Sequence, residues 1–253
     1  MEKSQVKYCV SFAGFDPSAG AGLLADVKSM EATGVYGMGV CTALTVQNDV
    51  DFIQCEWQSI EFIKTQFETL ATRFYFSAAK IGLVQDVEMV QEIVTILKKH
   101  NPLIHIVWDP ILSASAGFKF DNFSDFKSIE LLCKEIELLT PNLIEAERLF
   151  GEELSNDIIL EKCNSFSILV KGGHSDDIGK DLLFHKGQLS VVTSEFKYLS
   201  PKHGTGCVLS SVICSFLAQG FGLLESCNKG KRYIEDFMSS NETLLGWHGF
   251  SEN

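Results

Sequence analysis

Residues 8–33 read YCVSFAGFDPSAGAGLLADVKSMEAT: an apolar run, a loop with three glycines, and a segment of helical period. That succession is a strand, a close-turning loop and a helix, the opening unit of an α/β sheet with crossover helices. The same alternation continues along the chain. Strands are expected at Tyr8–Ala13, Gly39–Val46, Ala78–Ile81, Ile104–Asp109, Ile136–Leu139, Ile168–Val170, Leu182–His185 and Ser190–Thr193. Helices are expected at Gly22–Thr33, Ile60–Phe74, Val87–Lys99, Phe126–Lys134, Leu143–Phe150, Cys207–Gln219 and Leu223–Met238. In the third of these Val87, Val90, Ile93, Val94 and Leu97 share one face, so it covers a sheet. Lys186-Gly187-Gln188 suits an antiparallel hairpin, so the last strands depart from parallel pairing. No linker, low-complexity tract or repeat divides the 253 residues, which read as one domain.

Composition excludes several functions. With 21 basic against 33 acidic residues the net charge is −12, which opposes the phosphate neutralisation that nucleic-acid affinity needs. A small anionic ligand is still compatible, because backbone amides can bind it inside an acidic protein. The most apolar stretch, Val208 to Leu224, is broken by serines, Gln219 and glycines and falls short of a membrane span of about 20 apolar residues. Eight scattered cysteines lack any C-x-x-C pair, and the first residues lack a signal-peptide pattern, so free thiols in the cytoplasm are expected. The phosphate loop G-x-x-x-x-G-K-[ST], G-x-S-x-G and H-E-x-x-H are absent.

The candidate chemistry lies after the expected strands. Gly14–Gly22 lets a ligand approach the backbone; Gly20-x-Gly22-x-x-Ala25 meets the loose dinucleotide fingerprint but is separated from the strand by Phe15–Ala19. His203-Gly204-Thr205-Gly206-Cys207 opens a long helix, whose free amides and dipole form an anion cradle. The same field lowers the pKa of Cys207, making it a candidate base or nucleophile; a glycine turn with a core cysteine describes the pentapeptide equally well. Asn142 and Glu145 stand three apart at a helix start, where they suit either a hydrated magnesium ion or a capping box. Asp109 and Lys171 end strands and could meet a ligand at the carboxyl edge or be solvated. Asp26, between apolar neighbours, and Gln47 need polar partners, among which a ligand is one.

Taken together, G-x-D-P-S at Gly14–Ser18, Ala25-Asp26, Thr42–Asn48, Lys80-Ile81-Gly82, Asp109-Pro110, Thr140–Glu145, Leu169–His174 and His203–Ser210 resemble the hydroxymethylpyrimidine/phosphomethylpyrimidine kinases of the ribokinase-like superfamily. The resemblance runs in order from Tyr8 to Gln219. It implies a three-layer α/β/α sandwich with a mostly parallel central sheet, and ATP- and Mg²⁺-dependent phosphorylation of 4-amino-5-hydroxymethyl-2-methylpyrimidine and then of its monophosphate, for thiamine diphosphate. It further implies that Asp26 and Gln47 bond the aminopyrimidine, with Gly14, Leu83 and Ile111 lining its pocket. Cys207 takes the catalytic position, Gly204, Thr205 and Gly206 the anion hole, Lys171 the nucleotide phosphate, and Asp109, Asn142 and Glu145 the magnesium–phosphate group. A homodimer is implied as well. Lys202, where many relatives have Thr, and Ser115, where they often have Lys in a flap, depart from the pattern. Pyridoxal kinases of the same fold are the enzymatic alternative; a thiol-nucleophile transferase using Cys207 and a non-catalytic pyrimidine binder are the others.

Overall fold

Among the described residues one sheet of nine strands organises the chain, in the order β3-β2-β1-β4-β5-β6-β7-β8-β9. The computed structural model describes residues 6–112, 126–151, 155–162, 165–172, 179–193 and 200–249, so Ser115, Cys163 and Gly173-His174 lie outside the described residues. The strands are β1 (Tyr8–Phe15), β2 (Tyr36–Gln47), β3 (Phe52–Trp57), β4 (Phe76–Ile81), β5 (His105–Trp108), β6 (Leu138–Leu139), β7 (Ile168–Val170), β8 (Lys180–His185) and β9 (Gln188–Thr193). The helices are α1 (Gly22–Ala32), α2 (Ile60–Ala71), α3 (Val87–His100), α4 (Phe126–Cys133), α5 (Leu143–Phe150), α6 (Asn156–Lys162), α7 (Thr205–Ala218) and α8 (Leu223–Ser239).

Strands buried on both faces read as continuous apolar runs, because successive side chains enter opposite layers. Phe12, Ile81, Trp108, Leu139 and Ile168 pack under α2, α3, α4 and α5. Cys9, Ala78, Val107, Leu138 and Leu169 face the other way, against α1, α7 and α8. The result is the three-layer α/β/α sandwich.

Two elements escape the periodic pattern. β3 pairs antiparallel with β2 at one edge, and each of its residues is half-buried or exposed; without a buried face it lacks the apolar run that marks the inner strands. The other is the short helix α6, which carries three charged residues in seven. At the far edge β8 and β9 form the expected hairpin. Its reversal is two residues long, with Lys186 and Gly187 both at positive φ (51° and 69°), the requirement of a type I′ turn.

Register positions the site. Phe12 lies opposite Ile81, Ile81 opposite Trp108, Trp108 opposite Leu139, and Leu139 opposite Ile168, all in parallel pairs. The residues that follow, Ala13-Gly14, Gly82-Leu83, Asp109, Thr140 and Lys171, therefore emerge along one carboxyl edge. β1 and β4 are neighbours whose connections leave to opposite sides, the switch point where open α/β sheets place ligands.

Candidate active site

The glycine loop after β1 and the turn before α7 close on each other. Gly204 has φ +76°, and a β-carbon on it would stand 2.1 Å from the Gly20 carbonyl oxygen, so no other residue fits without displacing that loop. His203 Nε2 lies 2.9 Å from Asp16 Oδ2, and Asp16 also accepts the Ser18 hydroxyl and the Ser18 and Ala21 amides. Burial works to raise the Asp16 carboxyl, but these hydrogen bonds outweigh it and hold it below the usual carboxylate range. α7 starts with no side chain capping it and no acidic residue in its first turn. Its first amides and the positive end of its dipole are left for an anion.

Two charged residues meet that helix start. A β-carbon on Gly206 would be 3.1 Å from Lys171 Nζ and 3.7 Å from Asp109 Oδ2, so the absence of a side chain admits both. Lys171 Nζ donates to Asp109 Oδ1 at 2.7 Å; the Thr140 hydroxyl (3.2 Å) and the Ser210 hydroxyl of α7 (3.4 Å) complete the surroundings of Asp109. Burial opposes ionisation of Asp109, yet the Lys171 and Lys80 charges hold its carboxyl below the usual range. Burial likewise opposes the Lys171 ammonium, and the Asp109 and Glu145 charges keep it firmly protonated.

Asn142 and Glu145 form the capping box. Asn142 Oδ1 accepts the Glu145 amide at 2.8 Å and Glu145 Oε2 accepts the Asn142 amide at 2.7 Å. Asn142 Oδ1 is thus engaged in the helix cap. Glu145 remains within the field of Lys171 and Asp109; burial raises its carboxyl, Lys171 lowers it and Asp109 raises it again. Among the described residues no group of three His, Cys, Asp or Glu side chains could hold a metal by itself. The donor set of two neighbouring carboxylates fits magnesium, which keeps waters and binds through one or two carboxylates and phosphate oxygens.

Cys207, in the first turn of α7, corrects a sequence expectation. Burial pushes its thiol up to about 11, against the opposing pull of the Lys80 charge. The helix-start field expected to favour the thiolate is outweighed by removal of the sulfur from water.

Lys80 was not among the expected site residues. It is fully buried at the end of β4 and donates to both oxygens of Asp26, at 2.8 and 3.0 Å. Ser11 (2.6 Å) and Ser211 (2.7 Å) donate to the same carboxylate. Asp26 carries no accessible surface, so the expected direct contact with a pyrimidine is replaced by a buried ion pair that ties α1, β1, β4 and α7 together. The available signal was a lysine inside the apolar strand Phe76–Ile81, since a charge in such a strand requires a partner.

On the β2–β3 side of the carboxyl edge, Leu83 and Ala43 form a small apolar cluster with Ile111, Phe52, Cys55 and Trp57. Gly14 presses against Leu83, 2.8 Å from its Cδ2 to the place of a β-carbon. Gln47 is half-buried and pairs across the ladder with Phe52; its Nε2 donates to Thr45 Oγ1 at 2.8 Å. Gly14, Leu83 and Ile111 thus gather at one apolar cluster, with Gln47 opposite Phe52 at its margin, while Lys171, Asp109 and the start of α7 gather elsewhere along the same edge.

The family model for phosphomethylpyrimidine kinase matches residues 16–251. The chain belongs to this family. It is 31% identical over 239 residues to a hydroxymethylpyrimidine/phosphomethylpyrimidine kinase of Staphylococcus aureus (strain MRSA252), covering 90% of this chain and 86% of the relative. A solved phosphomethylpyrimidine kinase from Clostridium difficile 630 is 34% identical, with a TM-score of 0.75 over 90% of this chain and 97% of that one. The pyridoxal kinase from Staphylococcus aureus, solved with ADP, superposes with a TM-score of 0.82 over 97% of this chain and 94% of its own, but at 22% identity it bears on the fold alone. The sandwich is therefore ribokinase-like, and the chain is a kinase of the thiamine pathway. Among the described residues no helix is long and apolar enough to cross a membrane.

Proposed function

We propose that this chain, as one domain in the cytoplasm, phosphorylates 4-amino-5-hydroxymethyl-2-methylpyrimidine and then the resulting monophosphate, with ATP as donor. The observation that carries the reading is the convergence at Gly206. There an uncapped helix start, a half-buried lysine and a buried aspartate meet, with the apolar cluster around Leu83 on the same carboxyl edge of the sheet.

Phosphoryl transfer needs chiefly alignment and charge neutralisation. The amides of Thr205, Gly206 and Cys207 receive the oxygens of the transferred group, and Lys171 meets the developing charge on the bridging side. Asp109 and Glu145 would hold a magnesium ion, which would supply further charge neutralisation. Leu83, Ile111 and Gly14 wall the pyrimidine, and Gln47 offers its amide to the ring. Asp26 acts from below, through Lys80 and Ser211, by fixing α7.

Cys207 orients the attacking hydroxyl and takes its proton in the thiolate form. With the thiol at about 11 that form is a minor species at neutral pH, so its share rises about tenfold per pH unit below that value. The second step attacks with an oxygen that is already ionised. Cys207→Ala is thus expected to slow the alcohol step by about 10²-fold and flatten its rise with pH, while the second step changes less than about threefold. ADP release measured with the hydroxymethylpyrimidine, its monophosphate and pyridoxal side by side tests the whole reading. Turnover of pyridoxal alone would replace it with the vitamin B6 activity, ligand binding without ADP release would leave a binder, and equal losses in both steps would remove Cys207 from proton transfer.

The homodimer is proposed from the β2–β3 edge, where Leu44, Val46, Val50 and Ile53 are exposed. Sedimentation equilibrium should give twice the chain mass, with Ile53→Lys shifting it towards the monomer; a monomeric parent at micromolar concentration would exclude it.

A further inference from the structure

The C-terminal segment 241–249 is fastened to both loops of the phosphate site. The His203 amide donates to the Leu244 carbonyl at 2.8 Å. One residue earlier, Lys202 is 8% exposed and donates to the carbonyls of Asn241 and Thr243, the latter at 2.7 Å, and to Asn241 Oδ1 at 3.3 Å. Three donors meet three oxygens, and among the described residues no carboxylate stands within ion-pair distance of this ammonium. The turn it holds is itself cross-linked: Asn241 Nδ2 donates to the Leu245 carbonyl at 2.9 Å, and the Thr243 hydroxyl donates to Asn241 Oδ1 at 2.9 Å. Leu245 then reaches the other loop, its Cδ2 lying 2.6 Å from the place of a β-carbon on Gly20. Beyond it the segment is seated on α1 and α8. His248 Nδ1 lies 3.2 Å from Tyr233 Oη and 3.4 Å from Ser29 Oγ, and its ring is 4.9 Å from that of Phe237.

We propose that segment 241–249 is a support of the phosphate site, holding the Asp16–Gly22 loop and the Lys202–Gly206 turn in register, and that Lys202 is the positioning residue that pins it. The catalytic consequence rests on the kinase reading above; the structural one does not. Without the Lys202 ammonium, the Asn241 and Thr243 carbonyl oxygens lose their shared donor and the Leu244–His203 bond loses its neighbour. A displacement of about 1 Å in the anion cradle is enough to cost about 10²-fold in rate.

The test uses the full chain with Lys202→Met and Lys202→Arg, following amide hydrogen exchange by peptide and steady-state kinetics with ATP and the hydroxymethylpyrimidine. For Lys202→Met, exchange in 200–207 and 241–249 should rise together by about tenfold or more, with 78–81 and 105–108 unchanged. Its kcat should fall by about 10- to 100-fold while KM for the pyrimidine moves less than about threefold. Lys202→Arg should restore most of both. Unchanged exchange at 200–207, equal acceleration throughout the core, or an Arg variant no better than Met would overturn the proposal. Should Lys202→Met fail to fold, the exposed Leu245→Ala should accelerate exchange in 16–22; no acceleration there would overturn it as well. A parent without ADP release whose Lys202→Met variant still loosens both segments would strike the kinase reading and leave the support standing.

Discussion

Replacing Lys80 by methionine will lower the unfolding free energy by roughly 3–5 kcal/mol, because it leaves the Asp26 carboxylate charged and unpaired in the core. Both Asp26 oxygens accept from Lys80, and the two serine hydroxyls that remain, Ser11 and Ser211, supply hydrogen bonds but no charge. Asp26→Asn should be costly for the reciprocal reason. The double variant Lys80→Met/Asp26→Leu should recover much of the loss, since a buried pair replaced by apolar groups of similar size is often neutral. Burial opposes the Lys80 ammonium, but the Asp26 charge and its other acidic neighbours raise it above the ordinary lysine range. Its folded-state pKa is raised, so its contribution is fully present below the unfolded lysine value and is lost only as pH rises through the folded one. The parent's stabilisation through the Lys80 ammonium should therefore stay constant from pH 6 to 9. Urea unfolding at both pH values measures it; a single variant within about 0.5 kcal/mol of the parent would refute the assignment of Lys80 as a required partner.

The second large effect concerns Lys171→Met. This change removes the cation that lies 2.7 Å from Asp109 and beside the first turn of α7. Loss of one positioned charge at the transferring group is expected to lower kcat by about 10²–10³-fold. The wall made by Leu83 and Ile111 is untouched, so KM for the pyrimidine should change little. Steady-state kinetics with both substrates varied decides it, and a fall in kcat of less than about threefold would place Lys171 outside the transfer step.

Much of the architecture could be read from residue order because the inner strands are buried on both faces. Cys9–Ala13, Ala78–Ile81 and Ile168–Val170 are short apolar runs between helical periods, and each became a parallel strand. β3 was invisible for the opposite reason. Phe52, Cys55 and Trp57 pack against the small cluster around Leu83, while Ile53, Gln54 and Glu56 face solvent, so β3 has no continuous apolar run.

The site divides along the same line. Glycines before α7 and the Asn142–Glu145 spacing announce local backbone geometry, which neighbouring residues determine. Lys80–Asp26 and Lys171–Asp109 join residues 54 and 62 positions apart, and only the sheet register brings them together. Cys207 combines both cases. Its place at a helix start was legible, but the sign of its pKa shift depends on how deeply other elements bury it.

The Lys186-Gly187 reversal lies at the amino end of the sheet, because β8 runs down from the carboxyl edge where β7 ends. Chemistry and chain closure are thus assigned to opposite rims of the molecule. The lower rim is free to drift or to accept a grafted epitope, whereas the upper rim is constrained by nearly every residue that touches the reaction.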